Sequence, residues 1–136
     1  MPKTQPVSNA LSQPFFEGCR AGELRVQRCD SCAQLQFYPR IACTACDART
    51  LRWVATSGTG TVASFTVVER AISSAYEAPY VVALIDLDEG PRLMSQLIDF
   101  EPDQIRVGAV VQVTFRAWSD DVQMPVFQPS DQGDTL

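Results

Sequence analysis

A chain of 136 residues, 46% hydrophobic and 20% charged, has the apolar content for a real core and the length of one ordinary domain or two small modules sharing an interface. These residues leave no room for a multidomain enzyme. Eleven basic against sixteen acidic residues give a net charge of −5, which disfavours non-specific nucleic-acid binding, since that needs a basic footprint to displace counterions.

Residues Met1 to Asn9 are polar, with a single Lys3 and no apolar run resembling a signal peptide. No stretch approaches the roughly 18 apolar residues of a membrane helix. The expectation is a cytoplasmic protein, where thiols stay reduced and paired cysteines serve as metal ligands more often than as disulfides.

The first segment with a pattern is Ser12 to Gly22. Leu11, Phe15 and Cys19 recur every four residues and put an apolar stripe on one helix face. Ser12 suits the N-cap, Pro14 the first turn and Gly22 the C-terminal stop. Gly18 lies inside and costs about 1 kcal/mol against Ala, so the helix is expected to depend on docking. A short strand from Leu24 to Arg28 leads into the cysteines.

Cys29-x2-Cys32 and Cys43-x2-Cys46, with ten residues between the pairs, have the layout of a zinc ribbon, two knuckles whose four thiolates close a tetrahedral site. Four thiolates leave no open coordination position, so the metal would be structural. A degenerate ribbon without metal is the alternative; a redox dithiol is disfavoured because two facing pairs are redundant for that chemistry. Zinc knuckles usually carry Gly after the second cysteine, where the backbone turns left-handed. Here Ala33 and Asp47 stand there; Asp tolerates that conformation better than Ala, so strain is expected at the first knuckle. Cys19 reads as a small buried hydrophobe.

From Gly58 onward the pattern has period two, with turn residues about every ten positions, which predicts an antiparallel all-β unit. Five strands are expected at 59–69, 80–87, 92–98, 110–118 and 123–128. In the second, Val81, Ala83, Ile85 and Leu87 share a face; in the fourth, Val111, Val113, Phe115 and Ala117 do. Asp88-Glu89-Gly90-Pro91 is a tight connection. Asp99 or Glu101 is placed to open one helical turn before Gly108. Five strands with a short helix after the third is the order of an OB-fold, a mainly β class, although other five-stranded barrels share it. The expected division is an N-terminal helical segment (1–23), the zinc ribbon (24–56), the OB-fold barrel (57–129) and a flexible tail (130–136).

The chain contains no histidine, so Ser-His, Cys-His and His-metal arrangements cannot form within it. Ser57-Gly58-Thr59-Gly60-Thr61 precedes a strand and lacks a following Lys, so it is no phosphate cradle. Asp86 and Asp88 read as solvated residues flanking a turn. No catalytic residue is assigned. Two candidate contact surfaces remain. Ile72, Tyr76 and Tyr80, in or beside the apolar loop between the first two barrel strands, suit interface anchors, or else fold back over the barrel mouth. Phe37, Tyr38, Pro39 and Arg40, between the knuckles, offer aromatics and a cation for a phosphate or carboxylate, or else pack on the barrel. Arg25, Arg28, Arg40, Arg49 and Arg52 make this region locally basic.

Several stretches together resemble a family in which a rubredoxin-like zinc ribbon precedes an OB-fold and whose members were long catalogued as a domain of unknown function. They are Pro14-Phe15-Phe16-Glu17, residues 24–29, Gln36-Phe37-Tyr38-Pro39-Arg40, residues 58–68 and residues 79–92. The missing knuckle glycines are the main departure. The resemblance implies a non-catalytic accessory subunit beside a thiolase-like or lipid-transfer-protein-type partner in a hetero-oligomer, making or breaking a carbon–carbon bond in a CoA thioester (thiolase, retro-aldolase or C-acyltransferase); some relatives are fused to hydratase-type domains. The partner would supply the reacting residues, and this chain would complete the acyl-CoA site and stabilise the assembly. The rivals are a free-standing acyl-CoA-binding or scaffold protein and a single-stranded nucleic-acid-binding OB-fold, which the net charge disfavours.

Overall fold

The computed structural model describes residues 3, 6–119 and 121–130, with Pro102 through its backbone alone. Helix α1 (Gln13–Ala21) carries the predicted stripe: Phe15, Gly18 and Cys19 are buried. Ser12 stands at the N-cap as expected, but its side chain makes no capping hydrogen bond. Its hydroxyl donates to Asn9 Oδ1, which also accepts the N–H groups of Leu11 and Ser12 at 3.0 and 2.9 Å. Ser12 already has helical dihedrals, and the turn is closed by an Asx residue three positions earlier. Gly22 ends the helix at φ +81°, and Glu23 N–H donates to Gly18 O at 2.8 Å, the Schellman arrangement that favours glycine there. The Gly18 expectation acquires a reason: a Cβ there would stand 2.7 Å from Arg25 Cδ, so the absent side chain lets strand and helix close.

The ribbon is a three-stranded antiparallel sheet, β1 (Arg25–Cys29) between β2 (Leu35–Gln36) and β3 (Leu51–Ala55). Only the first of these was expected from the sequence; β2 is two residues long and β3 is half-exposed. Thr56 then ties the sheet to the barrel, its N–H and hydroxyl both donating to Leu24 O at 2.9 and 2.8 Å.

The barrel follows the expected register: β4 (Thr59–Val68), β5 (Tyr80–Leu87), β6 (Arg92–Leu97), β7 (Val110–Ala117) and β8 (Gln123–Pro129). They close in the order β4-β5-β6-β8-β7, with β6 and β8 parallel and the other pairs antiparallel, which is the OB-fold. A single 3-10 turn (Pro102–Gln104), opened by Glu101, joins β6 to β7. Ala83, Ile85 and Leu87 point inward and are buried, as their alternation required. On β7 only Val111 is fully buried, because the strand runs out past the barrel toward an exposed Ala117.

Ser130, grouped with the tail by sequence, is buried and its N–H donates to Val110 O at 3.2 Å. The rest of the expected flexible tail, 131–136, lies outside the described residues. One core runs through all three parts: Phe15 and Cys19 from α1, Leu24 and Val26 from the ribbon and, among others, Val62, Ile85, Val111 and Phe127 from the barrel. The helix therefore obtains its stability from docking, as its length and internal glycine demand. No helix among the described residues is long and apolar enough to cross a membrane.

Candidate functional site

The two knuckles are built bond for bond alike. Cys29 N–H donates to Gln34 O and Ala33 N–H to Cys29 O (2.9 and 2.8 Å); Cys43 N–H donates to Ala48 O and Asp47 N–H to Cys43 O (2.8 and 3.0 Å). Each turn needs a left-handed residue to close, and Ala33 and Asp47 adopt φ +66° and +62°. The departure from glycine thus left the conformation intact and placed its strain on a Cβ-bearing backbone.

This folding brings the Sγ atoms of Cys29, Cys32, Cys43 and Cys46 within 4.8 Å of one another, with Cys29–Cys46 at 3.7 Å and Cys32–Cys43 at 3.6 Å. A tetrahedral zinc with Zn–S bonds of about 2.3 Å has sulfur–sulfur edges of about 3.8 Å. The donor set and its spacing fit zinc, so the cluster supports a structural metal. The Cys32 N–H, then a contact from Thr50, draws the Cys29 thiol down to about 6 against burial. The Ala48 N–H acts the same way on Cys46, but burial and the neighbouring Cys29, Cys32 and Cys43 outweigh it and push that thiol up to about 12. Four sulfurs this close cannot all carry charge unless a cation lies between them. Cys19 is elsewhere, 1% exposed, its thiol pushed up to about 12 by burial.

Two residues that sequence reasoning missed shape the inter-knuckle loop. Gln27 and Gln36 are opposite one another on β1 and β2 and both buried. Gln36 Nε2 donates to Gln27 Oε1 (3.0 Å); Gln27 also accepts the Arg40 N–H and donates to Arg40 O, each at 2.9 Å, while Gln36 Oε1 accepts the Thr44 N–H at 2.9 Å. A buried carboxamide needs such partners, and these clamp residues 40–44 to the sheet. Paired glutamines at inward strand positions were the available signal.

Arg40 is thereby held by its backbone with its side chain exposed, and among the described residues that side chain makes no ion pair. Of the five basic residues, Arg25 pairs with Glu23 and Arg52 with Asp30, so Arg28, Arg40 and Arg49 carry the local positive charge. Phe37 packs on Phe15 (5.3 Å between centroids) and Tyr38 on Phe37 (4.5 Å). The Tyr38 hydroxyl reaches β6 and accepts the Met94 N–H at 3.1 Å, yet the residue stays 48% exposed. In the barrel loop Ile72 is 84% exposed, whereas Tyr76 and Tyr80 are half-buried and stack 6.0 Å apart. Tyr76 also meets Trp118 at 6.1 Å. Trp118 and the Phe37–Pro39 stretch line the same cavity, so the two surfaces converge. Asp86 is occupied by a bidentate pair with Arg92, which holds its carboxyl below the usual range; Asp88 is exposed beside the turn.

Residues 16–52 match the ChsH2 rubredoxin-like zinc ribbon domain, and residues 53–116 match the ChsH2 C-terminal OB-fold domain. A solved chain from the structure "Ltp2-ChsH2(DUF35) aldolase" is 34% identical, with a TM-score of 0.85 over 92% of this chain and 98% of that one. A "DUF35 domain-containing scaffold protein" from Methanothermobacter thermautotrophicus is 36% identical over 65% of this chain and 68% of its own length. The chain belongs to the DUF35 family. The Thermomonospora curvata protein named "Probable enoyl-CoA hydratase alpha subunit" is 34% identical over 94% of this chain. The DUF35 chain described here spans only 40% of that relative's length. The resemblance implied by the residue stretches is thus met by the family and by its zinc-ribbon and OB-fold architecture.

Proposed function

We propose that this DUF35 chain is the non-catalytic subunit of a hetero-oligomeric enzyme acting on acyl-CoA, with a thiolase-like partner supplying the reacting groups. The observation that carries this reading is the similarity, along nearly the whole of both chains, to a component of a solved aldolase, Ltp2-ChsH2(DUF35), whose name joins two proteins. A chain without histidine, in which Asp86 is tied to Arg92, fits a supporting part. Zinc on Cys29, Cys32, Cys43 and Cys46 holds the ribbon, and the ribbon in turn presents Phe37, Tyr38, Pro39 and Arg40. Arg40 is the candidate for a CoA phosphate, since its backbone is clamped and its guanidinium carries no ion pair among the described residues. Ile72, Tyr76 and Tyr80 are the candidate partner contacts. The name of the Methanothermobacter thermautotrophicus relative favours a second reading, a scaffold that joins proteins without touching substrate.

The test is co-expression with a thiolase-like subunit, size exclusion and a thioester assay with each chain omitted in turn. The expected complex buries more than roughly 2,000 Å² and is active only when both chains are present. Tyr76→Ala should weaken assembly; Arg40→Ala should raise the apparent KM for the acyl-CoA about tenfold with assembly intact. Full activity from the partner alone would refute the subunit reading, and an unchanged KM in Arg40→Ala would leave the scaffold reading in its place.

A further inference from the structure

An apolar cavity of about 350 Å³ lies over the seam between β6 and β8, roofed by α1 and the inter-knuckle loop. The seam is open for a structural reason. β6 and β8 are paired at one position only, Leu97 with Phe127, and short of it Ser95 Oγ reaches across to Pro125 O at 2.9 Å. The ladder groups that a continuous sheet would use are thus taken up by side chains, the Met94 N–H by Tyr38. The space left is walled by Phe16, Phe37, Val82, Met94, Met124 and Trp118, among others, and no charged side chain lines it.

We propose that this cavity is a small-molecule site for a medium-length alkyl chain carrying one uncharged oxygen acceptor, bound by this chain on its own. Three observations argue for that ligand. At roughly 30 Å³ for each water-sized group, the volume holds about a dozen non-hydrogen atoms, and it opens to solvent beside Met94, which is 61% exposed. The two methionines in the wall are unbranched and polarizable, the side chains that adapt to a flexible apolar guest. Two polar groups at the wall have donors to spare: the Tyr38 hydroxyl accepts from Met94 and keeps its own hydrogen, and the Gln96 carboxamide makes no hydrogen bond among the described residues. No charged side chain lines the cavity, and the Lys3 ammonium, 4.7 Å from the Trp118 ring centroid, is not part of the lining, so a carboxylate inside would have no charge partner in the wall and a ketone or ester oxygen suits these donors.

Trp118 lies in the wall, and the other tryptophan, Trp53, is on β3 and does not line the cavity. The test titrates the full zinc-loaded chain with a bromine-terminated medium-chain methyl ketone, whose heavy atom quenches tryptophan on contact. Quenching should saturate at one site, be reversed by the same ketone without bromine, and vanish in Trp118→Phe, which keeps Trp53. Val82→Phe, which fills the space, should weaken binding at least tenfold, and the carboxylate of equal length should bind at least tenfold more weakly than the ketone. Methyl-labelled methionine NMR gives a readout that needs no variant: of Met1, Met94 and Met124, the last two should shift on ketone addition. Quenching that never saturates, persists in Trp118→Phe or leaves Met94 and Met124 unshifted would overturn the proposal. The inference does not rest on the subunit reading, since it concerns the isolated chain and uses no enzymatic readout.

Discussion

Replacing Ala33 by Gly should stabilise the zinc-loaded protein, and the size of the effect follows from one dihedral angle. Ala33 stands at φ +66° because the knuckle hydrogen bonds on either side of it leave no other way to close the turn. A residue bearing a Cβ in that region loses about 1–2 kcal/mol relative to a right-handed conformation. Glycine is free of that penalty but enlarges the unfolded ensemble, which offsets about 0.4–1 kcal/mol. The difference of the midpoints is about 0.8 kcal/mol in favour of Ala33→Gly. With a urea slope of roughly 2 kcal/mol per molar, the midpoint should rise by about 0.4 M. Asp47 supplies an internal comparison at nearly the same angle, φ +62°. Aspartate is enriched in the left-handed region, so Asp47→Gly should gain less than half as much. Urea denaturation followed by circular dichroism, with zinc content measured alongside, reads both variants. A lower midpoint for Ala33→Gly, or a larger gain at Asp47 than at Ala33, would refute the strain argument.

Protein purified without added zinc should hold one zinc per chain, lost in Cys32→Ser and kept in Cys19→Ser; metal analysis decides, and an iron-loaded or empty site would contradict the assignment. Gly60→Ala should cost about 2 kcal/mol, because its Cβ would lie 2.5 Å from Asp86 O and 2.9 Å from Ile85 Cγ2, where backbone cannot give way; an unchanged urea midpoint would show that the barrel flexes there. The Cys19 thiol, raised in the folded protein to about 12, stabilises the fold fully below its unfolded value near 8.5 and loses that contribution as pH climbs toward 12. Stability of the wild type should therefore fall faster than that of Cys19→Ala above pH 9, by up to about 1.4 kcal/mol per pH unit, and parallel profiles would rule the mechanism out.

Local spacing by itself determined the cysteine quartet, the docked helix and the five barrel strands. Each of these is written in residues a few positions apart: two-residue gaps make a knuckle, four-residue recurrence a helix stripe, alternation an inward face. Even the left-handed turns at Ala33 and Asp47 were legible, since the knuckle demands them whatever residue is present. Ser12 stands at the N-cap as expected, but only the closed turn shows that its side chain makes no capping hydrogen bond and that Asn9 Oδ1 takes the nearby N–H groups instead. What the tertiary structure decided lies at long separation. Tyr38 meets Met94 across 56 residues of chain, Gln27 fixes the Arg40 backbone, and Trp118, which no motif singled out, links the two predicted surfaces through one cavity. Such contacts depend on how sheet, helix and barrel pack around a shared core, and a local pattern records only that a residue turns inward, not what it finds there.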